Sequence, residues 1–180
     1  MAKSAHRLVC FGDSITEGWM VGPGESWPSL ISKKIPAEVI NAGISGETSA
    51  DAVRRLDEIV AMRPNACTVE FGINDFFNGF TLDQTRANLE HIINTLQRNG
   101  IHPGIMGFSI PQYNTVKWEE MYSWIAEAFG IPLMPDIFKG LREKTGTFMP
   151  DGVHPTAKGY AIIAGNCIEA FQGKLWDTKA

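Results

Sequence analysis

The sequence contains few cysteines, and their arrangement excludes a disulfide framework and a zinc site. Its 180 residues include only Cys10, Cys67 and Cys167, an odd number without regular spacing. No CxxC pair and no cluster of cysteine with histidine is present, so we expect neither a metal nor another cofactor. Cys10 and Cys67 lie within apolar segments and should be buried free thiols.

Excess positive charge and long apolar runs are also missing. The formal net charge is -4, so the chain has no field that would attract nucleic acid or an anionic membrane surface. No run approaches the ~18 apolar residues of a membrane span, and we expect no stable membrane insertion. Residues 1–7 lack the apolar stretch of a signal peptide, which predicts a cytoplasmic protein for the sequence as it stands. Removal of a signal peptide from a precursor would instead place it in the periplasm or outside the cell.

Short apolar segments alternate with amphipathic ones along the chain, which predicts an α/β fold in one domain over residues 1–180. The chain is 44% hydrophobic and 20% charged, as in ordinary globular proteins, and has no evident repeat or linker. The apolar segments are typical of parallel strands covered by helices on both faces. Strands are predicted at residues 8–11, 38–40, 67–71, 104–108 and 131–134.

Amphipathic helices are predicted between and after these strands. Thr81 and Gln84 should form a capping box at the start of one of them. Ligands of parallel sheets bind beyond the carboxyl ends of the strands, so the functional residues should lie in the loops that follow strands. The helices are expected over about residues 50–62, 82–99, 118–129 and 156–171, with their apolar stripes in the core.

Gly12-Asp13-Ser14 directly follows the first predicted strand, which should expose the serine at the carboxyl edge of the sheet. A turn into a helix at this point would aim the Ser14 amide at a developing oxyanion. The alternative is an ordinary strand-ending turn, since glycine, aspartate and serine all favour turns.

A second group of polar residues lies far downstream, in Asp151-Gly152-Val153-His154-Pro155. A serine hydroxyl becomes a good nucleophile only when a base takes its proton, and histidine suits that task near neutral pH. Asp151 precedes His154 by three residues, so its carboxylate can hold one ring nitrogen while the other faces Ser14. The alternative is a loop aspartate beside the last helix. The other histidines are expected at the surface or beside strands: His6, His91 and His102.

Two further loops follow strands, at residues 41–46 and 72–75. A glycine can bring its backbone amide close to a reacting carbonyl, and the side chain of Asn74 can donate a hydrogen bond. Each loop by itself is weak support for a site, because glycine and asparagine are common in turns.

Gly12-Asp13-Ser14, Gly46, Asn74 and Asp151-Gly152-Val153-His154 together resemble the four sequence blocks of the SGNH (GDSL) hydrolase family. The blocks occur in the family's order and span most of the chain. The resemblance implies a flavodoxin-like three-layer α/β/α sandwich with a five-stranded parallel sheet. It also implies an oxyanion hole formed by the Ser14 amide, the Gly46 amide and the Asn74 side chain.

Within that family, the chain looks most similar to small bacterial enzymes described as thioesterase, arylesterase and lysophospholipase. Residues 41–48 and the pair Trp27-Pro28 add to this likeness. One departure is Ile73, where those relatives often carry glycine and where an isoleucine would reshape the acyl site. The expected activity is hydrolysis of a small-molecule carboxylic ester or thioester through an acyl-enzyme, with Ser14 as nucleophile and His154 as base.

The residues leave two alternatives to this activity. A carbohydrate O-acetylesterase or an acyltransferase would use the same fold, since hydrolysis and transfer differ only in whether water or another alcohol takes the acyl group. No sugar-binding insert is evident. A non-catalytic flavodoxin-type binding domain would not need the serine, histidine and aspartate, and residues 12–18 lack the lysine of a phosphate-binding loop. No feature specifies an oligomeric state.

Three loops are expected to form the walls of the substrate site, at residues 18–25, 75–80 and 109–116. Their apolar side chains fit a role in the core or in a lid equally well. The candidates for substrate contact are Trp19, Phe76, Phe77, Ile110 and Tyr113.

Overall fold

Five parallel strands form one sheet in the computed structural model, which describes residues 6–176. They are β1 (Arg7–Gly12), β2 (Glu38–Gly43), β3 (Ala66–Glu70), β4 (His102–Met106) and β5 (Leu133–Met134). Their order across the sheet is β2-β1-β3-β4-β5. The prediction of an α/β fold with a five-stranded parallel sheet is therefore confirmed. Most of the segment that bears on a signal peptide, residues 1–5, lies outside the described residues.

Helices cover both faces of this sheet. They are α1 (Ser14–Glu17), α2 (Trp27–Ser32), α3 (Ser49–Arg54), α4 (Leu56–Ala61), α5 (Ile73–Phe77), α6 (Leu82–Arg98), α7 (Val116–Phe129) and α8 (Ala157–Phe171), with a 3₁₀ turn at Pro111–Tyr113. Helix α2 packs against α8, whereas α6 packs against both α3 and α7. Because crossovers between parallel strands are right-handed, these two groups lie on opposite faces of the sheet. None of the helices within residues 6–176 is long and apolar enough to cross a membrane.

The strand boundaries differ from the prediction at both edges of the sheet. β2 continues to Gly43, which pairs in register with Gly12, instead of turning at Asn41. β2 is also an edge strand with Glu38 and Asn41 exposed, so the expectation of strands apolar on both faces is wrong for it. At the other edge, β5 is reduced to Leu133–Met134. An edge strand is covered by fewer neighbours and needs fewer apolar residues.

The helix predicted over residues 50–62 is two helices, α3 and α4, which meet at Arg55. The break aims the Arg55 side chain back at the sheet. There its guanidinium donates to Ala42 O at 2.8 Å and lies 4.5 Å from the centre of the Phe11 ring. It also pairs with Glu47 in the loop after β2. These contacts are tertiary, so helical periodicity could not reveal them.

Other local predictions are confirmed. Thr81 and Gln84 form the expected capping box at the start of α6, with side chain to backbone hydrogen bonds in both directions. The apolar positions of α8 face the core, and the three cysteines are buried and free. These features depend on residues close together in the chain or on the periodicity of one helix, which a sequence shows directly.

Candidate active site

The carboxyl ends of β2, β1 and β3 lie side by side, which brings three loops to one edge of the sheet. Gly12, the last residue of β1, pairs with Gly43 of β2 and with Glu70 of β3. Side chains that follow these strands therefore meet where α/β proteins bind ligands. The residues that follow include the sequence-predicted Ser14, Gly46 and Asn74.

Ser14 is the first residue of α1 and is 7% exposed. Asp13 caps this helix, because its side chain accepts a hydrogen bond from the Ile15 amide at 2.9 Å. Gly12 is required just before the turn, since a Cβ there would lie 2.1 Å from Thr16 Oγ1. The glycine thus allows α1 to begin at the strand end, with Ser14 at its first position.

His154 connects Ser14 to Asp151. Its Nε2 atom lies 3.0 Å from Ser14 Oγ, and its Nδ1 atom lies 2.8 Å from Asp151 Oδ2. The other carboxylate oxygen of Asp151 accepts hydrogen bonds from the Val153 and His154 amides, both at 2.9 Å. Burial alone would raise the pKa of Asp151, but these amides and the His154 ring outweigh it and hold that pKa below its usual value. Asp151 is therefore a carboxylate at neutral pH.

A pocket of about 260 Å³ opens over Ser14 and His154. Its polar wall consists of predicted site residues, and its apolar wall includes Ile73, which the sequence analysis had placed at the acyl site. The apolar wall also includes two residues that the sequence analysis did not single out: Ile15 and Val153. Each of them is next in the chain to a predicted polar residue, which is the signal that could have identified them. The pocket is lined by Ser14, Ile15, Ile73, Asn74, Phe77, Asp151, Val153 and His154.

The five aromatic and aliphatic candidates lie in different surroundings. Phe77 lines the pocket, and Phe76 stacks edge-on against it and contacts Tyr113. Trp19 packs on His154, with 4.4 Å between the ring centres. Ile110 is 3% exposed and belongs to the core, where its amide donates to Thr115. Only Phe77 among these candidates is in the pocket wall of the described structure.

Asn74 joins the loops that follow β2 and β3. Its Nδ2 atom donates to Glu47 O at 2.8 Å and to Asp13 Oδ2 at 3.2 Å. Gly46 has a φ of 83°, a conformation that favours glycine and sets the direction of the following peptide. Within residues 6–176, the Ser14 and Gly46 amides have no hydrogen-bond acceptor. Two free amides and one shared carboxamide thus lie on the three neighbouring loops.

A partly buried ion pair between Arg55 and Glu47 fixes the loop that follows β2. Arg55 Nε donates to both carboxylate oxygens of Glu47, at 2.9 and 2.7 Å, and the two side chains are 12% and 15% exposed. Arg55 Nη2 also lies 2.6 Å from Glu47 Oε2, and a contact through two guanidinium nitrogens fixes orientation as well as distance. Because Glu47 follows Gly46 and its carbonyl accepts from Asn74, Arg55 stabilises the loop geometry at the pocket.

A pair of buried carboxyl groups lies beneath Ser14 and was not recognised in the sequence. Glu70 Oε2 accepts from Thr16 Oγ1 at 2.9 Å and lies 3.4 Å from the Asp13 amide nitrogen. Burial raises the pKa of Asp13 to about 7. Burial, and next the nearby Asp13 charge, raise the pKa of Glu70 well above its usual value. Two carboxyls this deeply buried therefore retain at least one proton between them at neutral pH.

Replacing Glu70 with glutamine is expected to weaken the pH dependence of stability. Because the folded-state pKa values are raised, the native protein keeps protons that the unfolded chain releases above about pH 4. The free energy of unfolding therefore falls as the pH rises from about 4 through about 7, by about 1.4 kcal/mol per pH unit for each retained proton. Glu70→Gln should shrink the loss of Tm between about pH 5 and about pH 8. Glu127→Gln, at an exposed position of α7, is the control. An equal change of Tm with pH in both variants would contradict the raised pKa of Glu70.

Comparisons with known proteins identify the family of this chain. A model of the GDSL-like lipase/acylhydrolase family matches residues 10–162. Thioesterase 1/protease 1/lysophospholipase L1 of Escherichia coli K12 is 30% identical over 170 residues, which cover 91% of this chain and 82% of the relative. An arylesterase of Vibrio mimicus is 27% identical over 173 residues, which cover 91% of this chain and 86% of the relative.

Solved structures share the whole fold. The crystal structure of TesA has a TM-score of 0.87 at 25% identity, covering 91% of this chain and 97% of its own. AlinE4, described as an SGNH-hydrolase family esterase, has a TM-score of 0.76 at 29% identity, covering 94% and 96%. The match to the family model extends over most of the chain, from the strand before Ser14 to the helix after His154. The chain therefore belongs to the GDSL-like lipase/acylhydrolase family of SGNH hydrolases and is an ester hydrolase.

Proposed function

We propose that the protein cleaves carboxylic esters or thioesters through a covalent acyl-enzyme, with Ser14, His154 and Asp151 as a catalytic triad. The observation that carries the proposal is the continuous contact from Ser14 Oγ through the His154 ring to Asp151 at the floor of the pocket. Nucleophile, base and orienting carboxylate within hydrogen-bond reach are the signature of nucleophilic serine catalysis.

The contacts support one direction of proton transfer. Asp151 is a carboxylate and only accepts, so His154 Nδ1 carries a proton and donates it to Oδ2. His154 Nε2 is then free to accept the Ser14 hydroxyl proton at 3.0 Å. Ser14 Oγ attacks the carbonyl carbon, and the imidazolium returns its proton to the departing alcohol or thiol. Water, deprotonated by His154, then releases the acid and restores Ser14.

The oxyanion hole would consist of the Ser14 and Gly46 amides and the Asn74 carboxamide. The two amides have no acceptor within the described residues, so they are available to the tetrahedral oxyanion. Both hydrogens of the Asn74 amide point to protein acceptors, Glu47 O and Asp13 Oδ2. The oxyanion would therefore compete with Asp13 for one of them. A protonated Asp13 is the weaker competitor, and its raised pKa favours that form.

The pocket wall favours an apolar acyl group. Ile15, Ile73, Phe77 and Val153 provide an apolar surface beside Ser14, which suits an acyl chain or an aryl group better than a sugar ring. Ile73, 4% exposed, narrows the wall next to Asn74. Similarity to proteins named thioesterase, lysophospholipase and arylesterase also supports a small-molecule ester or thioester as substrate.

Covalent labelling tests the proposal directly. An organophosphorus serine reagent should add one adduct to the protein, because among residues 6–176 the serine hydroxyl in contact with His154 is that of Ser14. Intact-mass spectrometry should show this adduct in the native protein and in Ser45→Ala, which removes an exposed serine of the loop after β2. The adduct should be absent in Ser14→Ala. A single adduct that persists in Ser14→Ala would overturn the assignment of the nucleophile.

A further inference from the structure

Trp19 contacts the imidazole of His154, and the proposed mechanism does not use it. The two ring centres are 4.4 Å apart and the ring planes make an angle of 50°. The Trp19 side chain is 39% exposed, so burial in the core does not explain its position. Among the described residues, those that line the pocket do not include Trp19, although the sequence suggested it as a substrate wall.

The turn that carries Trp19 is built on the carbonyl of Ser14. Gly18 and Trp19 both donate their amides to Ser14 O, at 3.1 Å each, and Tyr160 Oη donates to the same oxygen at 3.3 Å. Gly18 ends α1 with a φ of 87°, and a Cβ there would lie 2.3 Å from Ser26 Cβ. Ser14 and Trp19 are thus parts of one tightly bonded turn. The position of the indole is therefore tied to the position of the nucleophile.

We infer that Trp19 is a positioning residue that holds the His154 ring against Ser14 and stabilises the imidazolium formed during turnover. The inference rests on the proposed function. The face of an indole carries negative charge density and attracts a cation more strongly than a neutral ring. Asp151 satisfies Nδ1 on one edge of the imidazole, and the Trp19 ring lies tilted against the same imidazole, with 4.4 Å between the ring centres. Trp19 stabilises the His154 ring more strongly once that ring has taken the Ser14 proton, so the contact should affect turnover more than substrate binding.

Kinetics of Trp19→Leu and Trp19→Phe test this role. Trp19→Leu should lower kcat about 2- to 30-fold, the range of a cation–π contact, with little change in KM. Trp19→Phe should restore most of the loss because it keeps an aromatic face. Trp124→Leu is the matched control, since Trp124 is 50% exposed on α7 and contacts Arg86 outside the pocket. An unchanged kcat in Trp19→Leu, or a rise in KM alone as for a substrate wall, would overturn the inference.

A spectroscopic measurement separates this inference from the proposed function. The ring current of Trp19 should displace the NMR signals of the His154 ring protons, and Trp19→Leu should remove that displacement while Trp124→Leu leaves it. His154 signals identical in all three proteins would contradict the contact. Labelling of Ser14 with the organophosphorus reagent in Trp19→Leu is the second measurement. If Trp19→Leu is labelled at Ser14 and its turnover is unchanged, the inference about Trp19 is wrong and the proposed function stands. If the native protein is not labelled at Ser14, the proposed function itself is wrong.

Discussion

Replacing Asp151 with asparagine is expected to lower kcat by as much as about 10⁴-fold and to leave the fold intact. Asparagine keeps an oxygen where Asp151 Oδ1 accepts from the Val153 and His154 amides. It places an N–H donor where Oδ2 accepts from His154 Nδ1. The ring must then carry its proton on Nε2, and it can no longer accept the proton of Ser14.

Steady-state kinetics and thermal melting on the same preparation check this expectation. The Tm of Asp151→Asn should stay close to that of the native protein, because the side chain is 41% exposed and its hydrogen bonds to the loop amides survive. Asp57→Asn, at an exposed position of α4, is the control for an aspartate outside the site. Turnover within a few-fold of native in Asp151→Asn would show that another group orients His154.

Replacing Asn74 with alanine should lower kcat by about 10²- to 10³-fold, or roughly 3–4 kcal/mol in the barrier. The substitution removes one proposed donor to the oxyanion and leaves the contact between Ser14 and His154 in place. KM should change less, because the ground-state carbonyl draws less from that donor than the oxyanion does.

The structure adds a second effect of this substitution, which must be measured separately. Asn74 also donates to Glu47 O and to Asp13, so alanine removes two hydrogen bonds between loops and should lower the Tm. Asn88→Ala is the matched control, because Asn88 donates to Ser49 Oγ at 2.9 Å and does not line the pocket. A lower Tm in both variants with the loss of turnover confined to Asn74→Ala supports the oxyanion role. Turnover retained per folded molecule in Asn74→Ala would mean that Asn74 only shapes the turn after β3.

The order of the strands and helices, and the contacts between side chains close together in the chain, could be predicted because each depends on a short stretch of sequence. Apolar segments of strand length alternate with segments of helical periodicity, and that alternation predicts an α/β fold with a parallel sheet. The contact between Asp151 and His154 is similarly local, since three residues on one turn bring the two side chains together. The capping box at Thr81 depends on a spacing of the same length. The amino-acid sequence by itself determined these features.

Tertiary structure decided the features that join distant parts of the chain. Ser14 and His154 are 140 positions apart, and Glu70 lies 57 positions from the Asp13 amide beside it. Burial of the two carboxyl groups, and hence their raised pKa values, follows from the central place of β1 and β3 in the sheet. Strand order also leaves β2 at an edge. Burial and charge depend on which segments become neighbours in space, and hydrophobic periodicity reports only which face of a segment is covered.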